Sequence, residues 1–241
     1  MNVQFKKMKP LKSYQHVVDE IQTAICEGNI KEGETLPSEM KLKEMFDTSR
    51  GTIREALRVL EQKGLVSVRT GVNGGARIQG ANTKPIIDSV AILIRQQKVS
   101  LHHLAEFRKM MEGHISAQAA RNAEKRDIKK LKDILRNAAA HIETKPSGWK
   151  EFHKLDARFH QTLAKIAKNP LLEANLTAVH DNIQIYFHDY LPWSEDLLHD
   201  NFKDLCEIVA AVEQKDPVAA QRMAEDHVSK FNALMEKNIE G

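Results

Sequence analysis

A chain of 241 residues, 41% of them hydrophobic, is long enough for two ordinary domains with buried cores. Its two cysteines, Cys26 and Cys206, stand far apart and outside any Cys/His metal spacing, which argues against a disulfide framework or a zinc finger; no run of about 18 apolar residues suggests a membrane span, and the basic Met1–Pro10 segment lacks the apolar stretch of an export signal. The formal charge of +3 is uneven, with 13 Lys and Arg against 10 Asp and Glu in residues 1–80 and 23 of each in residues 81–241, so a basic head beside a neutral body in a cytoplasmic protein is expected.

In chain order, Val17, Val18, Ile21, Ala24 and Ile25 form a 3.6-period stripe over residues 11–28 that ends at Gly28, predicting a first helix. Residues Asn29 to Pro37 read as a turn. Ser38 then stands as an N-cap before a short helix carrying Leu42, Met45 and Phe46. A third helix over Arg50 to Lys63, with Ile53, Ala56, Leu57 and Leu60 on one face, stops at Gly64. Beyond it the period changes: residues 65–69 and 76–79 read as two short strands around a Gly/Asn-rich tip, Gly71 to Gly75. Three helices followed by a small hairpin make a winged helix-turn-helix over residues 1–80, whose third helix enters the DNA major groove.

Residues 81–85 read as a linker, and no strand pattern recurs after them. Helical segments are expected at about 86–98, 101–123, 126–143, 148–168, 171–189, 193–214 and 217–238. The fold class is therefore mostly α: the winged head plus an all-α antiparallel bundle of six or seven helices over 86–241.

On the third helix, Ser49, Arg50, Thr52 and Arg54 lie opposite the apolar stripe and would meet DNA. Arg can grip guanine O6 and N7 through two hydrogen bonds, and Ser and Thr hydroxyls suit phosphates near a helix amino terminus. A solvated charged face is the alternative for these positions taken alone. The order and separation of Leu36-Pro37-Ser38-Glu39, Ser49-Arg50-x-Thr52-x-Arg54-Glu55-Ala56-Leu57 and Leu60-x-x-Lys63-Gly64-Leu65-Val66 resemble the DNA-binding domain of the GntR family over residues 10–80. That resemblance implies DNA contacts from Ser49, Arg50, Thr52 and Arg54, and minor-groove contacts from Thr70 and Gly71 at the wing tip. Met40 stands where the family usually has Arg, so one contact is missing and the preferred operator would differ.

Asp156 and His160 are four apart on one helical face and could bind one divalent cation, or form a hydrogen-bonded couple. Around them, Glu106-x-Arg108 with Glu112, Asp156-x-x-Phe159-His160-x-x-Leu163-Ala164, Asn169-Pro170 and Asp216-x-x-Ala219-Ala220 leading to His227 resemble the FCD ligand-binding domain of the FadR subgroup. The resemblance adds His227 as a third metal ligand for Zn, Ni or Mn. It also expects another His where this chain has Leu205; Asn201, one turn earlier, is a weak possible substitute. Arg108 suits the clamping of an effector carboxylate, with an intrahelical salt bridge to Glu112 as its alternative.

The reading that follows is a homodimeric regulator, a repressor in the first instance, that binds double-stranded operator DNA as an inverted repeat and responds to a small organic acid, with no catalytic residues and no membrane partner. Two alternatives stand beside it. The pairs His180-Asp181, His188-Asp189 and His199-Asp200 superficially suggest a His/Asp metal phosphohydrolase. A metal-free bundle could instead answer to an acyl-CoA or fatty acid.

Overall fold

The computed structural model describes residues 13–69, 75–80, 84–96, 98–142, 148–191 and 193–239. Their chain divides into two units, Met1–Pro85 and Ile86–Gly241. The first contains α1 (Ser13–Cys26), α2 (Glu39–Met45), α3 (Arg50–Gln62), β1 (Val66–Arg69) and β2 (Gly75–Ile78).

In this unit the apolar stripes become one core. Val17, Val18 and Ile21 of α1 and Ile53, Ala56, Leu57 and Leu60 of α3 are buried together with Leu36, Leu42, Val66, Ala76 and Ile78. Side chains satisfy the first amides of the two shorter helices: Ser38 accepts from Lys41 N at 3.3 Å and Ser49 from Thr52 N at 3.0 Å. Gly64, at φ +73°, turns the chain out of α3 and into β1. The strands pair antiparallel from Val66↔Ile78 to Arg69↔Gly75.

A third short edge joins them. Thr35 bridges Arg77, Leu36 N donates to Ala76 O at 2.8 Å, and Ile78 N donates to Glu34 O at 2.8 Å. The sequence reads as a turn there because the edge is only about three residues long between Gly33 and Pro37, too short for a period-2 signal. Met45, read as an apolar position of α2, is exposed. The expected wing contacts Thr70 and Gly71 lie outside the described residues.

Among the described residues seven helices follow: α4 (Lys84–Arg95), which begins at the end of the first unit, and then, within the second, α5 (Leu101–Asn122), α6 (Lys125–Ile142), α7 (Trp149–Ile166), α8 (Pro170–Tyr190), α9 (Glu195–Glu213) and α10 (Pro217–Ile239). Of the linker expected over 81–85, residues 81–83 lie outside the described residues, and Lys84 and Pro85 stand in α4. Proline fits there, since the first turn of a helix has no intrahelical partner for its amides.

The main core brings Ile115, Ala119 and Ala120 of α5 against Leu131 and Leu135 of α6, Phe159 and Leu163 of α7, Leu205 and Ile208 of α9, and Ala220 and Ala224 of α10. Helix α5 runs along α10, and Gly113 permits the approach: a Cβ there would sit 2.6 Å from Glu225 Cγ. Among the described residues, no helix is long and apolar enough to cross a membrane.

Because Leu60 is fully buried in the core of the first unit, Leu60→Ala should destabilise that unit by about 2–5 kcal/mol. Amide hydrogen exchange on the whole chain should show protection falling across residues 13–80 and holding in α5 to α10.

Candidate metal centre and nucleic-acid interface

Helix α5 buries Arg108, Glu112 and Ser116 at four-residue intervals, a polar line on one face of a helix otherwise packed with Ala, Leu and Ile. Helix α7 adds His153, Asp156 and His160; α8 adds His180 and Asn182; α9 adds Asn201 and Asp204; and α10 adds His227. Charges taken out of water cost several kcal/mol each unless they are paired, so the partners inside this polar seam decide what it can do.

Glu112 is the hub. Arg108 Nε donates to its Oε1 at 2.7 Å, His180 Nε2 lies 3.2 Å from the same oxygen, and His160 Nδ1 lies 2.7 Å from Oε2. Burial pushes this carboxyl up, but Arg108, His160 and His180 outweigh it and hold it well below the usual carboxylate range. The opposite edge of the His160 ring faces Asp156, with Nε2 3.8 Å from Oδ1, and His227 Nε2 lies 4.0 Å from that oxygen. Burial lowers the affinity of His160 for a proton, yet Glu112 and Asp156 reverse the sign and raise its pKa. For His180, burial prevails and its pKa falls.

The Asp156, His160 and His227 group fits a divalent cation. Their ligand atoms lie within 4.8 Å of one another, and Asp156 Oδ1 and His160 Nε2 have no hydrogen-bond partner among the described residues. Two ligands at ~2.1 Å from a tetrahedral ion would be about 3.4 Å apart, so the Asp156 distances of 3.8 Å to His160 and 4.0 Å to His227 would need to close by only a few tenths of an ångström. A hydrogen-bonded Asp156–His160 couple, the alternative from sequence, is not formed at 3.8 Å. On the outer side of His227, Nδ1 lies 3.4 Å from Asp204 Oδ2, and Asp204 in turn accepts from Lys230 at 2.7 Å. Asn201 is buried with both amide atoms unpartnered, whereas Leu205 belongs to the apolar core.

Of the residues singled out from sequence, the structure therefore gathers Asp156, His160 and His227. It also shows Arg108 in its alternative role, with Nε committed to the buried bridge to Glu112. In the sequence, Glu112 stands out as the i,i+4 partner of Arg108 and His180 as half of a His-Asp pair; nothing local marks either as a neighbour of His160. Asp181, His199 and Asp200 face solvent, so those pairs do not converge; the side chains of His188 and Asp189 lie outside the described residues.

On the first unit, Arg50 and Arg54 stand one turn apart on α3 with their side chains about half exposed. Both place Nε on the same oxygen of Glu39, at 3.0 and 2.9 Å. Burial nudges the Glu39 carboxyl up, but the two guanidinium groups win and lower it. With Nε engaged, the terminal nitrogens of each fork are the part left for another partner. Ser49 Oγ, besides capping α3, is 2.8 Å from Thr52 Oγ1.

Comparison with known proteins matches the FCD domain to residues 103–230 and the bacterial regulatory proteins of the GntR family to residues 13–74. The HTH-type transcriptional repressor NanR of Citrobacter rodentium is 29% identical over 222 residues, covering 90% of this chain and 83% of the relative. The protein of the same name from Klebsiella aerogenes is 28% identical over 222 residues, with the same coverage. A solved structure, Streptococcus agalactiae GntR, superposes with a TM-score of 0.65 at 23% identity, covering 91% of this chain and 99% of that one, and shares the fold.

The buried bridge yields a direct expectation. Arg108→Met strands the Glu112 carboxylate and should cost about 3–5 kcal/mol in urea denaturation, while Arg108→Met combined with Glu112→Leu should recover most of that loss.

Proposed function

The chain belongs to the GntR family of bacterial regulatory proteins and carries its FCD domain, and from that membership we propose a homodimeric, effector-responsive repressor that binds an operator inverted repeat. As members of that family are transcriptional regulators, it is a DNA-binding regulator and not an enzyme. Repression is the sense favoured by relatives named transcriptional repressors.

The observation that carries the sensing half is the buried Asp156, His160 and His227 group, in which Asp156 Oδ1 and His160 Nε2 are unpartnered among the described residues. These three residues would hold one divalent cation, Zn, Ni or Mn, with Asn201 as a weak fourth donor. Bound there, the cation would supply a Lewis-acidic centre for a carboxylate oxygen. Leu205 adds no ligand, so a coordination position stays open to water or to a small organic acid. Arg108, held at Nε by Glu112, would add positive charge and its terminal nitrogens to the same anion. A seam with three carboxylates, an arginine and four buried imidazoles disfavours an acyl chain as occupant.

For the DNA half, Arg50 and Arg54 would read base edges or phosphates through their exposed forks, with Ser49 and Thr52 at the amino-terminal end of α3. Thr70 and Gly71 keep their expected role in the minor groove. Effector binding would alter DNA affinity by favouring one dimer arrangement; a coupling of about 1–3 kcal/mol corresponds to ~5–150-fold.

Two measurements test this reading. In fluorescence anisotropy against the protein's own promoter, Arg50→Ala and Arg54→Ala should each weaken specific binding by about 1–3 kcal/mol, and unchanged affinity in both would overturn the DNA assignment. In thermal-shift screens, organic acids should raise the melting temperature of the Zn-loaded protein more than that of chelator-treated protein, and equal shifts would count against a cation-anchored effector.

A further inference from the structure

Three imidazoles are stacked through the bundle in the order His180, His160, His227. The ring centroids are 5.0 and 5.3 Å apart, and the interplanar angles are 20° and 22°. Only the last two belong to the Asp156 group. His180 lies on the far side of His160 and meets Glu112 Oε1, which also takes the Arg108 bond; Oε2 of the same carboxylate faces His160 Nδ1.

An imidazole that ligates a cation through one nitrogen must keep its proton on the other. The Glu112 carboxylate oxygen 2.7 Å from Nδ1 lies outside hydrogen-bond geometry, but its charge at that distance favours the proton on the Glu112 side of His160. The Nε2 lone pair is then presented toward Asp156 and His227. The Glu112, His160 and His180 atoms are themselves close enough to surround an ion, but the Arg108 guanidinium 2.7 Å from Glu112 places a fixed positive charge there. That side of His160 is suited to holding protons, and the Asp156 side to holding metal.

We propose that Glu112 and His180 are positioning residues for the cation site: Glu112 fixes the tautomer and ring orientation of His160, and His180, together with Arg108, fixes Glu112. The proposal rests on reading Asp156, His160 and His227 as the ligands. It gives a use to His180, a buried imidazole that lies outside that group. Partners of this outer kind typically tune metal affinity 10–100-fold.

The test is Co2+ titration of the full-length, chelator-treated protein, followed by its visible absorption bands and by competition with Zn2+. His180→Leu and Glu112→Gln should weaken binding about 10–100-fold and shift the Co2+ bands. His180→Gln, which keeps a donor of similar reach, should retain most of the affinity, and His180→Asn, too short to reach Glu112, should not. Circular dichroism and melting of the metal-free variants separate loss of fold from loss of binding; if the Leu variant fails to fold, the Gln and Asn pair decides. Binding and bands unchanged in folded His180→Leu, or equal losses in the Gln and Asn variants, would overturn the positioning role alone. A wild-type protein that takes up no Co2+ would remove the cation site itself, and this proposal with it.

Discussion

The 2.7 Å bond between Arg108 and Glu112 sets the terms for the interior of the bundle. A lone carboxylate at that depth would be driven to protonate, and a lone guanidinium cannot lose its charge, so neither residue could stand there without the other. Once paired, Glu112 still has acceptor capacity: His180 lies within hydrogen-bond reach of Oε1, and His160 Nδ1 is in ion-pair contact with Oε2. The orientation of His160, and through it the approach of Asp156 and His227, follows from that first pairing. A seam of this kind lowers the stability that an all-apolar core would give and supplies chemistry in exchange.

The head of the protein uses the same device at its surface. Glu39, at the start of α2, gathers two arginines from successive turns of α3 onto one oxygen. Surface ion pairs contribute little to stability, typically under about 1 kcal/mol each. Their effect here is geometric, since two long side chains that would otherwise sample many rotamers share one anchor. Ser49 serves the same end more simply: one hydroxyl both caps α3 and meets Thr52.

Much of this was legible in the sequence, and the limits have physical causes. Helix stripes such as Ile53, Ala56, Leu57 and Leu60 are written in a local period, and the structure buries all four. The Asp156 and His160 pair was legible for the same reason, because four residues along a helix is one face. His180 was not, since nothing local marks which face of α8 meets α5, 68 residues away in sequence. The Glu39 anchor is separated from its arginines by 11 and 15 residues and by a turn. For Arg108, the bridge to Glu112 was visible from spacing, whereas its depth of burial, which makes that pairing obligatory, was not. The edge strand at Thr35 was too brief to have a period at all.

The stacked row of His180, His160 and His227 has one more consequence. Each ring touches the next and each end leans on a carboxylate, so the energetic effect of removing one ring includes the rearrangement of its neighbours. Contributions within such a row do not sum. A double-mutant cycle across His180 and His227, which share no direct bond, would register His160 as the coupling between them, and the size of that non-additivity would measure how rigidly the interior transmits a local change.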